Sequence, residues 1–342
     1  DSVDEDTCIY LLKSDKFENI EILRIKDLWE RFIDYYYISA DKEKEVIDLV
    51  DFNCFTLSYD YKNNKNIITR INKIIRHRTN KKTYTIKDDN GIFKVTEDHS
   101  LMINGIETKP SIYKNNLQNK IKLDKLQNFN YKLKNITTID VVDIYIKYAK
   151  IFNSQKKWNI NKFDYYLTQN NFIINIKNYK DEIVKIQKLP RFIKINQDFA
   201  TLIGAYISEG SVTFDIKRQL YTNLRIVSTK DNKTWNDKIY QSAVNIFGED
   251  LIKKCEYNSN MFIVQVRGKQ AILSSLFGEL FGYKSENKKL ANFIFNTNKD
   301  FIKTIMDNYQ IGDGYTKLEN NFNVYNVGGK CKLFISQAYF LF

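Results

Sequence analysis

Leu202-Ile203-Gly204-Ala205-Tyr206-Ile207-Ser208-Glu209-Gly210 is the stretch on which the fold turns. It is apolar, contains no proline and ends in Glu-Gly, so residues 198–208 read as a helix. Gly204 and Ser208 lie one turn apart, which leaves a face small enough for a second helix to pack backbone to backbone. Glu209 then falls at the helix C-terminus, where the macrodipole disfavours a carboxylate. A metal ion would offset that cost, because carboxylates flanked by phosphates are how Mg2+ is usually held.

A second run, Met306-Asp307-Asn308-Tyr309-Gln310-Ile311-Gly312-Asp313-Gly314, closes an apolar helix over 301–311 in the same manner. Asp313 matches Glu209, Gly312 matches Ser208, and Asn308 stands where Gly204 does. A single apolar helix ending in Glu-Gly is a weak signal, but two copies suggest a degenerate duplication. Leu189-Pro190-Arg191-Phe192 leads into the first run and Lys288-Lys289-Leu290-Ala291 precedes the second. Together these blocks resemble the paired motifs of LAGLIDADG (DOD-type) homing endonucleases, with Asn308 and Ala291 departing from the family pattern.

That resemblance implies an αββαββα endonuclease domain over residues 189–342, its second repeat incomplete. It also implies Mg2+ held by Glu209 and Asp313, activating water and stabilising the leaving 3′ oxygens, one strand each. Lys288 holds the position of the family's assisting lysine; on its residue type alone it reads equally well as a solvated surface lysine. The implied partner is a long double-stranded DNA site, cut to leave 3′ overhangs.

The rest of the chain is compatible with such a partner. Its 342 residues carry a net charge of +12, with 43% hydrophobic and 27% charged residues, which is the balance of a soluble globular protein large enough for two cores. A basic chain rich in Lys, Asn and Tyr suits a polyanion; heavy Lys, Asn, Ile and Tyr usage is equally the mark of an AT-rich genome. No apolar run approaches a membrane span and Asp1-Ser2-Val3-Asp4-Glu5-Asp6 is no signal peptide, so an intracellular, soluble, DNA-associated monomer is expected, with no membrane partner. Cys8, Cys54, Cys255 and Cys331 form no CxxC and read as ordinary thiols. His77 and His99 are the two histidines, so any imidazole chemistry must use one of them.

Residues 1–110 read as short strands (9–12, 55–58, 67–75, 82–86 and 92–96) with one amphipathic helix over 25–32. Asn90-Gly91 between two alternating runs signals a hairpin. Residues 111–188 are polar and read as a connecting or DNA-contacting insertion, with a helix over 138–152. Beyond them, strands are expected at 220–228 and 262–266 and helices at 232–247 and 269–281. The fold class is therefore α+β.

Two further blocks carry chemistry. The chain opens Ser2-Val3-Asp4-Glu5-Asp6-Thr7, and Gly91-Ile92-Phe93-Lys94-Val95-Thr96-Glu97-Asp98-His99 places a His three residues after a Thr. These blocks resemble the first two of the Hint (protein-splicing) domain of inteins. Ile74-Ile75-Arg76-His77-Arg78-Thr79-Asn80-Lys81-Lys82 is similar to inteins of family B DNA polymerases, which makes such a polymerase the expected host. The resemblance implies that Ser2 attacks the carbonyl of Asp1, the last residue of the host extein, and converts the peptide bond to an ester. An unassisted hydroxyl cannot do so readily; Thr96 and His99 are the residues expected to hold and protonate the scissile amide, with no cofactor. His77 takes no part in this scheme and reads as a surface residue of a basic run.

Nothing after Gly314 resembles the closing block of an intein, so the chain is expected to stop short of the residues for the last splicing step. Two other readings stay open on the residues: a free-standing homing endonuclease with an unrelated N-terminal module, and a degenerate, non-catalytic DNA- or RNA-binding relative.

Overall fold

The computed structural model describes residues 2–15, 20–63, 65–88, 91–103, 106–113, 135–154, 162–178, 180–257, 261–266, 271–319, 322–327 and 330–341. In chain order the helices are α1 (Ile25–Arg31), α2 (Pro110–Tyr113), α3 (Val142–Ser154), α4 (Gln197–Glu209), α5 (Lys233–Phe247), α6 (Ala271–Phe281), α7 (Lys299–Gly312) and α8 (Lys332–Leu341). With the small sheets between them they make a mixed α+β chain. No described helix is long and apolar enough to cross a membrane, and no disulfide joins cysteines among the described residues. The chain divides into two compact units, residues 1–134 with 332–342, and residues 135–331.

The first unit is built from short antiparallel pairings. Cys8–Leu11 pairs with Glu21–Arg24, and Glu45–Asp48 lies between Tyr36–Ile38 and Lys73–Arg76. The run 67–75, read as one strand, is two. Lys65–Arg70 pairs with Phe55–Asp60, whereas Lys73–Arg76 pairs with Glu45–Asp48. The corner between them is held by Ile71 N–H to the Cys54 carbonyl at 2.8 Å and Leu49 N–H to the Asn72 carbonyl at 2.7 Å. A continuous β-branched run hides such a change of sheet, because each half satisfies the same alternation. Leu11, Leu23, Leu28, Trp29, Ile47, Leu49, Cys54 and Ile74 fill the core beneath. Thr83–Asp88 pairs with Gly91–Thr96 as the hairpin signal requires, Asp88 facing Gly91, while the turn residues 89–90 lie outside the described ones. Within this unit α8 docks on the first pairing: Gln337 donates to the Ile22 carbonyl at 3.1 Å, and the Phe340 and Tyr10 rings sit 5.4 Å apart.

In the second unit residues 135–188 form ordered structure where they are described. A strand at Thr138–Asp140 precedes α3, shortening the helix read there, and pairs with Phe192–Lys194. Lys162–Leu167, Asn171–Lys177 and Ile183–Pro190 form a three-stranded sheet. Residues 114–134 and 155–161 of the expected insertion lie outside the described ones.

From α4 the order is helix, Gly210–Asp215, Leu220–Thr229, α5, Ile252–Tyr257, Met261–Val266, α6. These strands make one antiparallel sheet in the order 210–215, 220–229, 261–266, 252–257. Two of its four strands, 210–215 and 252–257, carry no clear signal in the sequence. Their alternation is short and polar, and only pairing with the central strands makes them regular.

Both motif helices begin alike. The side chain of Asn196 accepts the Phe199 N–H at 3.1 Å, and that of Asn298 accepts the Phe301 N–H at 2.8 Å. Each is an N-cap satisfying an orphan donor, and the two Asn-x-Asp-Phe starts extend the internal duplication by a turn at the other end of each helix. Every residue of α4 from Phe199 to Ile207 is buried. A helix apolar all round needs protein on all sides, and here the sheet, α5 and α7 supply it. Burial of Phe199, Leu202, Ile203 and Tyr206 alone contributes about 1.5–3 kcal/mol each.

The closest approach is at Gly204, where an added Cβ would stand 2.3 Å from the Ile305 carbonyl oxygen and 2.7 Å from the Asn308 Cβ. Both obstacles belong to the framework of α7, so Gly204→Ala must force the helices apart. The expected cost is about 1–3 kcal/mol, read as a lower urea midpoint at unchanged m-value; an unchanged midpoint would mean the two helices do not pack this closely in solution. Asn308, the larger residue opposite, fits because its side chain is turned away: its carbonyl accepts Trp235 Nε1–H at 3.0 Å and its amide donates to the Thr304 carbonyl at 2.8 Å.

Candidate functional sites

The second unit places its acidic residues where α4 and α7 end together. An added Cβ at Gly312 would stand 2.4 Å from Ser208 Oγ and 2.9 Å from Glu209 Cγ, so the two C-termini are in contact. Ser208 folds back onto its own helix, donating to the Gly204 carbonyl at 3.2 Å. Glu209, half-buried, and Asp313, exposed, therefore share one end of the helix pair. Burial raises the Glu209 carboxyl above its ordinary value, and the neighbouring Asp313 charge raises it further. Like charges held this close disfavour double ionisation unless a cation joins them.

Lys288 is not a surface lysine. It is 6% exposed, and its Nζ donates to the Tyr206 carbonyl at 2.7 Å and the Gly210 carbonyl at 2.8 Å. It also sits 3.5 Å from the centroid of the Tyr206 ring. Tyr206 is fixed in turn by its hydroxyl, which donates to the Gly282 carbonyl at 2.6 Å. The carbonyls at the end of α4, which sequence alone left as a liability for Glu209, thus receive a cationic side chain at the favourable end of the dipole. Burial pushes the Lys288 ammonium down to about 7, with Asp313 opposing the shift. A buried amine brought down in this way, within reach of the Asp313 charge, is the kind of perturbed group found where protons are transferred.

Among the described residues no group of three or more His, Cys, Asp or Glu is placed to hold a metal by itself. Glu209 and Asp313 are nevertheless hard oxygen donors of the right type. Two carboxylates suit Mg2+, which keeps several waters and takes substrate phosphates to complete its shell.

The first unit seats Ser2 on the strand Gly91–Thr96. Val3 bridges Val95, and Asp4 N–H donates to the Lys94 carbonyl at 2.8 Å. One step earlier, Thr96 N–H donates to the Ser2 carbonyl at 3.0 Å, and Ser2 N–H donates to Thr96 Oγ1 at 3.1 Å. The hydroxyl of a buried threonine therefore lies on the backbone nitrogen whose bond to Asp1 is in question. Lys81 and Thr96, as hydrogen-bond donors, hold the Asp98 carboxyl well below the usual carboxylate range. His99 N–H closes a turn onto the Thr96 carbonyl at 3.1 Å. The imidazole Nδ1 of His99 is buried with no hydrogen-bond partner among the described residues, and burial lowers the ring's affinity for a proton. A buried ring nitrogen with no partner is costly as a purely structural feature.

Ser2, Thr96 and His99 thus fall in one small region of the first unit, and Glu209, Asp313 and Lys288 in one region of the second. The sequence missed His77. Its Nε2 lies 2.6 Å from Ser2 Oγ. The signal was present in the count of two histidines, but a partner 75 positions away on another strand pairing is visible only in three dimensions.

No family model matches the chain. It is 28% identical over 152 residues to the DNA-directed RNA polymerase subunit Rpo1C of Methanocaldococcus jannaschii, covering 44% of this chain and 16% of that protein. A DNA polymerase of Thermococcus sp. (strain GE8) is 28% identical over 184 residues, covering 50% of this chain and 10% of that protein. An uncharacterized protein of M. jannaschii is also 28% identical, over 146 residues, 41% of this chain and 16% of its own length. The chain therefore spans between a tenth and a sixth of the length of the curated relatives it matches. Part of it is similar, at low identity, to segments of proteins named as DNA and RNA polymerases.

Proposed function

We propose that the chain is part of an intein in a polymerase gene, joining a splicing domain of the Hint type to a LAGLIDADG-type homing endonuclease. The observation that carries this reading is the seat of Ser2: its N–H rests on Thr96 Oγ1 at 3.1 Å, with His99, whose buried Nδ1 has no partner among the described residues, three residues on. In this reaction Ser2 Oγ attacks the carbonyl carbon of Asp1, the C–N bond breaks, and an ester plus a free Ser2 amine remain. Thr96 fixes the amide in place, and His99 delivers the proton that lets the nitrogen leave. Burial lowers the imidazole's affinity for a proton, so its protonated form gives the proton up readily.

In the second unit the partner is double-stranded DNA and the reaction hydrolysis of one phosphodiester per strand. Glu209 and Asp313 would hold Mg2+, which when bound supplies Lewis-acid stabilisation of the phosphate and a more acidic water. Glu209 and Asp313 accept protons and orient the attacking water. Lys288 anchors the end of α4 and holds or releases a proton there, within reach of the Asp313 charge. The net charge of +12 suits this partner.

The splicing reading is tested on the full chain carrying a reporter polypeptide ahead of Asp1. Hydroxylamine, which attacks esters and spares amides, should release the reporter at Ser2; an intact fusion after prolonged treatment would sink the reading.

A further inference from the structure

We propose that His77 is the general base that activates Ser2, so that the ester-forming step uses two imidazoles with opposite duties. The inference rests on the splicing reading above and goes beyond it, because Thr96 and His99 act on the nitrogen side of the bond and nothing in that scheme takes the hydroxyl proton.

The tautomer follows from geometry. His77 Nδ1 lies 3.1 Å from the backbone carbonyl of Arg78. A carbonyl can only accept, so Nδ1 carries the hydrogen and Nε2 presents its lone pair. At 2.6 Å from that lone pair stands Ser2 Oγ, whose hydroxyl must then be the donor. This is the hydrogen-bond reach and direction required of a base acting on a serine nucleophile.

The ring is held there from both flanks. Arg76, just before it, hydrogen-bonds Glu45 across the strand pairing, and its guanidinium lies 4.5 Å from the centroid of the Trp29 ring. Lys81, after it, is bonded to Asp98, next to His99. The backbone of Ser2 is fixed independently by Thr96. His77 is half-buried, so it keeps solvent contact through which a proton can be exchanged.

The step balances. The Oγ–H bond breaks and its proton moves to His77 Nε2. Oγ bonds to the carbonyl carbon of Asp1, and the electron pair of the C–N bond goes to the Ser2 nitrogen, which takes a proton from His99. His77 is left protonated and His99 neutral, and both return to their starting state through water. No oxidant, metal or second substrate enters.

The test uses the full chain with the reporter ahead of Asp1 and follows its release by hydroxylamine. His77→Gln keeps a hydrogen-bond acceptor near Oγ but cannot take the proton, and should slow release by about a hundredfold, the lower range for a general base. In His77→Ala, added imidazole should restore part of the rate. Combining His77→Gln with Ser2→Cys should shrink the deficit to within about tenfold of Ser2→Cys alone, because a thiol near pKa ~8.5 is partly ionised without help. Release by His77→Gln within threefold of the parent overturns the proposal. So does a slow His77→Ala that imidazole leaves unchanged while the Ser2→Cys background is slowed equally, since that pattern marks a structural role. A parent chain that releases no reporter removes the splicing reading itself, and this inference with it.

Discussion

Chains carrying His99→Ala are expected to release an upstream reporter about a thousandfold more slowly than the parent under hydroxylamine, and Thr96→Val about a hundredfold more slowly. The two losses have different origins. In the proposed reaction His99 is the proton donor to the departing nitrogen, and general acids contribute roughly 10^2–10^4. Among the described residues its Nδ1 has no hydrogen bond for truncation to break, so His99→Ala should leave the unfolding midpoint nearly unchanged. Thr96 is 3% exposed and its hydroxyl accepts the Ser2 N–H directly. Thr96→Val keeps the shape but strands that N–H, which combines lost positioning with a part-buried donor left unpaired, about 1 kcal/mol. The expected pattern is therefore a pure rate defect at residue 99 and a mixed rate and stability defect at residue 96. If His99→Ala releases reporter at the parent rate, the assignment of the nitrogen-side acid is wrong.

The second large effect is expected at the paired helix ends. Glu209→Gln should reduce Mg2+-dependent cleavage of a cognate DNA site by about a thousandfold or more. In the proposed reaction the Mg2+ that the two carboxylates would hold supplies several kcal/mol of charge stabilisation, and each 1.36 kcal/mol is tenfold. Asp313→Asn should be comparably inactive on the bond it serves. Titration of the Glu209 carboxyl, followed by 13C NMR in the metal-free protein, separates this from misfolding. Its folded value lies above the ordinary one, through burial first and the Asp313 charge second. The unfolded chain therefore releases this proton at lower pH than the folded chain does. The group's contribution to stability is consequently present at acid pH and lost as pH rises through the folded value. Asp313→Asn removes the second cause and should bring Glu209 part of the way back, with burial holding the remainder. A Glu209 titration indifferent to Asp313→Asn would show that the two carboxylates do not share a site.

How far the chain could be read in advance differs between its two units. In the second, the pattern Gly204-x-x-x-Ser208-Glu209 and its echo in Asn308-x-x-x-Gly312-Asp313 located both helices and both carboxylates, since i,i+4 spacing on a helix translates directly into a face. The setting of Lys288 did not follow from spacing. Its partners, the carbonyls of Tyr206 and Gly210, lie some eighty positions earlier and are backbone atoms with no sequence signature. In the first unit the hairpin and the Thr96–His99 block were legible because they are local. The corner at Ile71 was not, because alternation is the same whichever sheet a strand joins.

By itself, then, the sequence determined the α+β character, the two motif helices, their terminal carboxylates and the Thr-x-x-His block beside an N-terminal serine. Each of these is written in residue type and short-range period, which the backbone obeys locally. Only the tertiary structure decided that Lys288 is buried against the end of α4, that Asn308 turns toward Trp235 and lets Gly204 approach, and that His77 meets Ser2. Those outcomes depend on which distant backbone segments are brought together, and on the burial that follows.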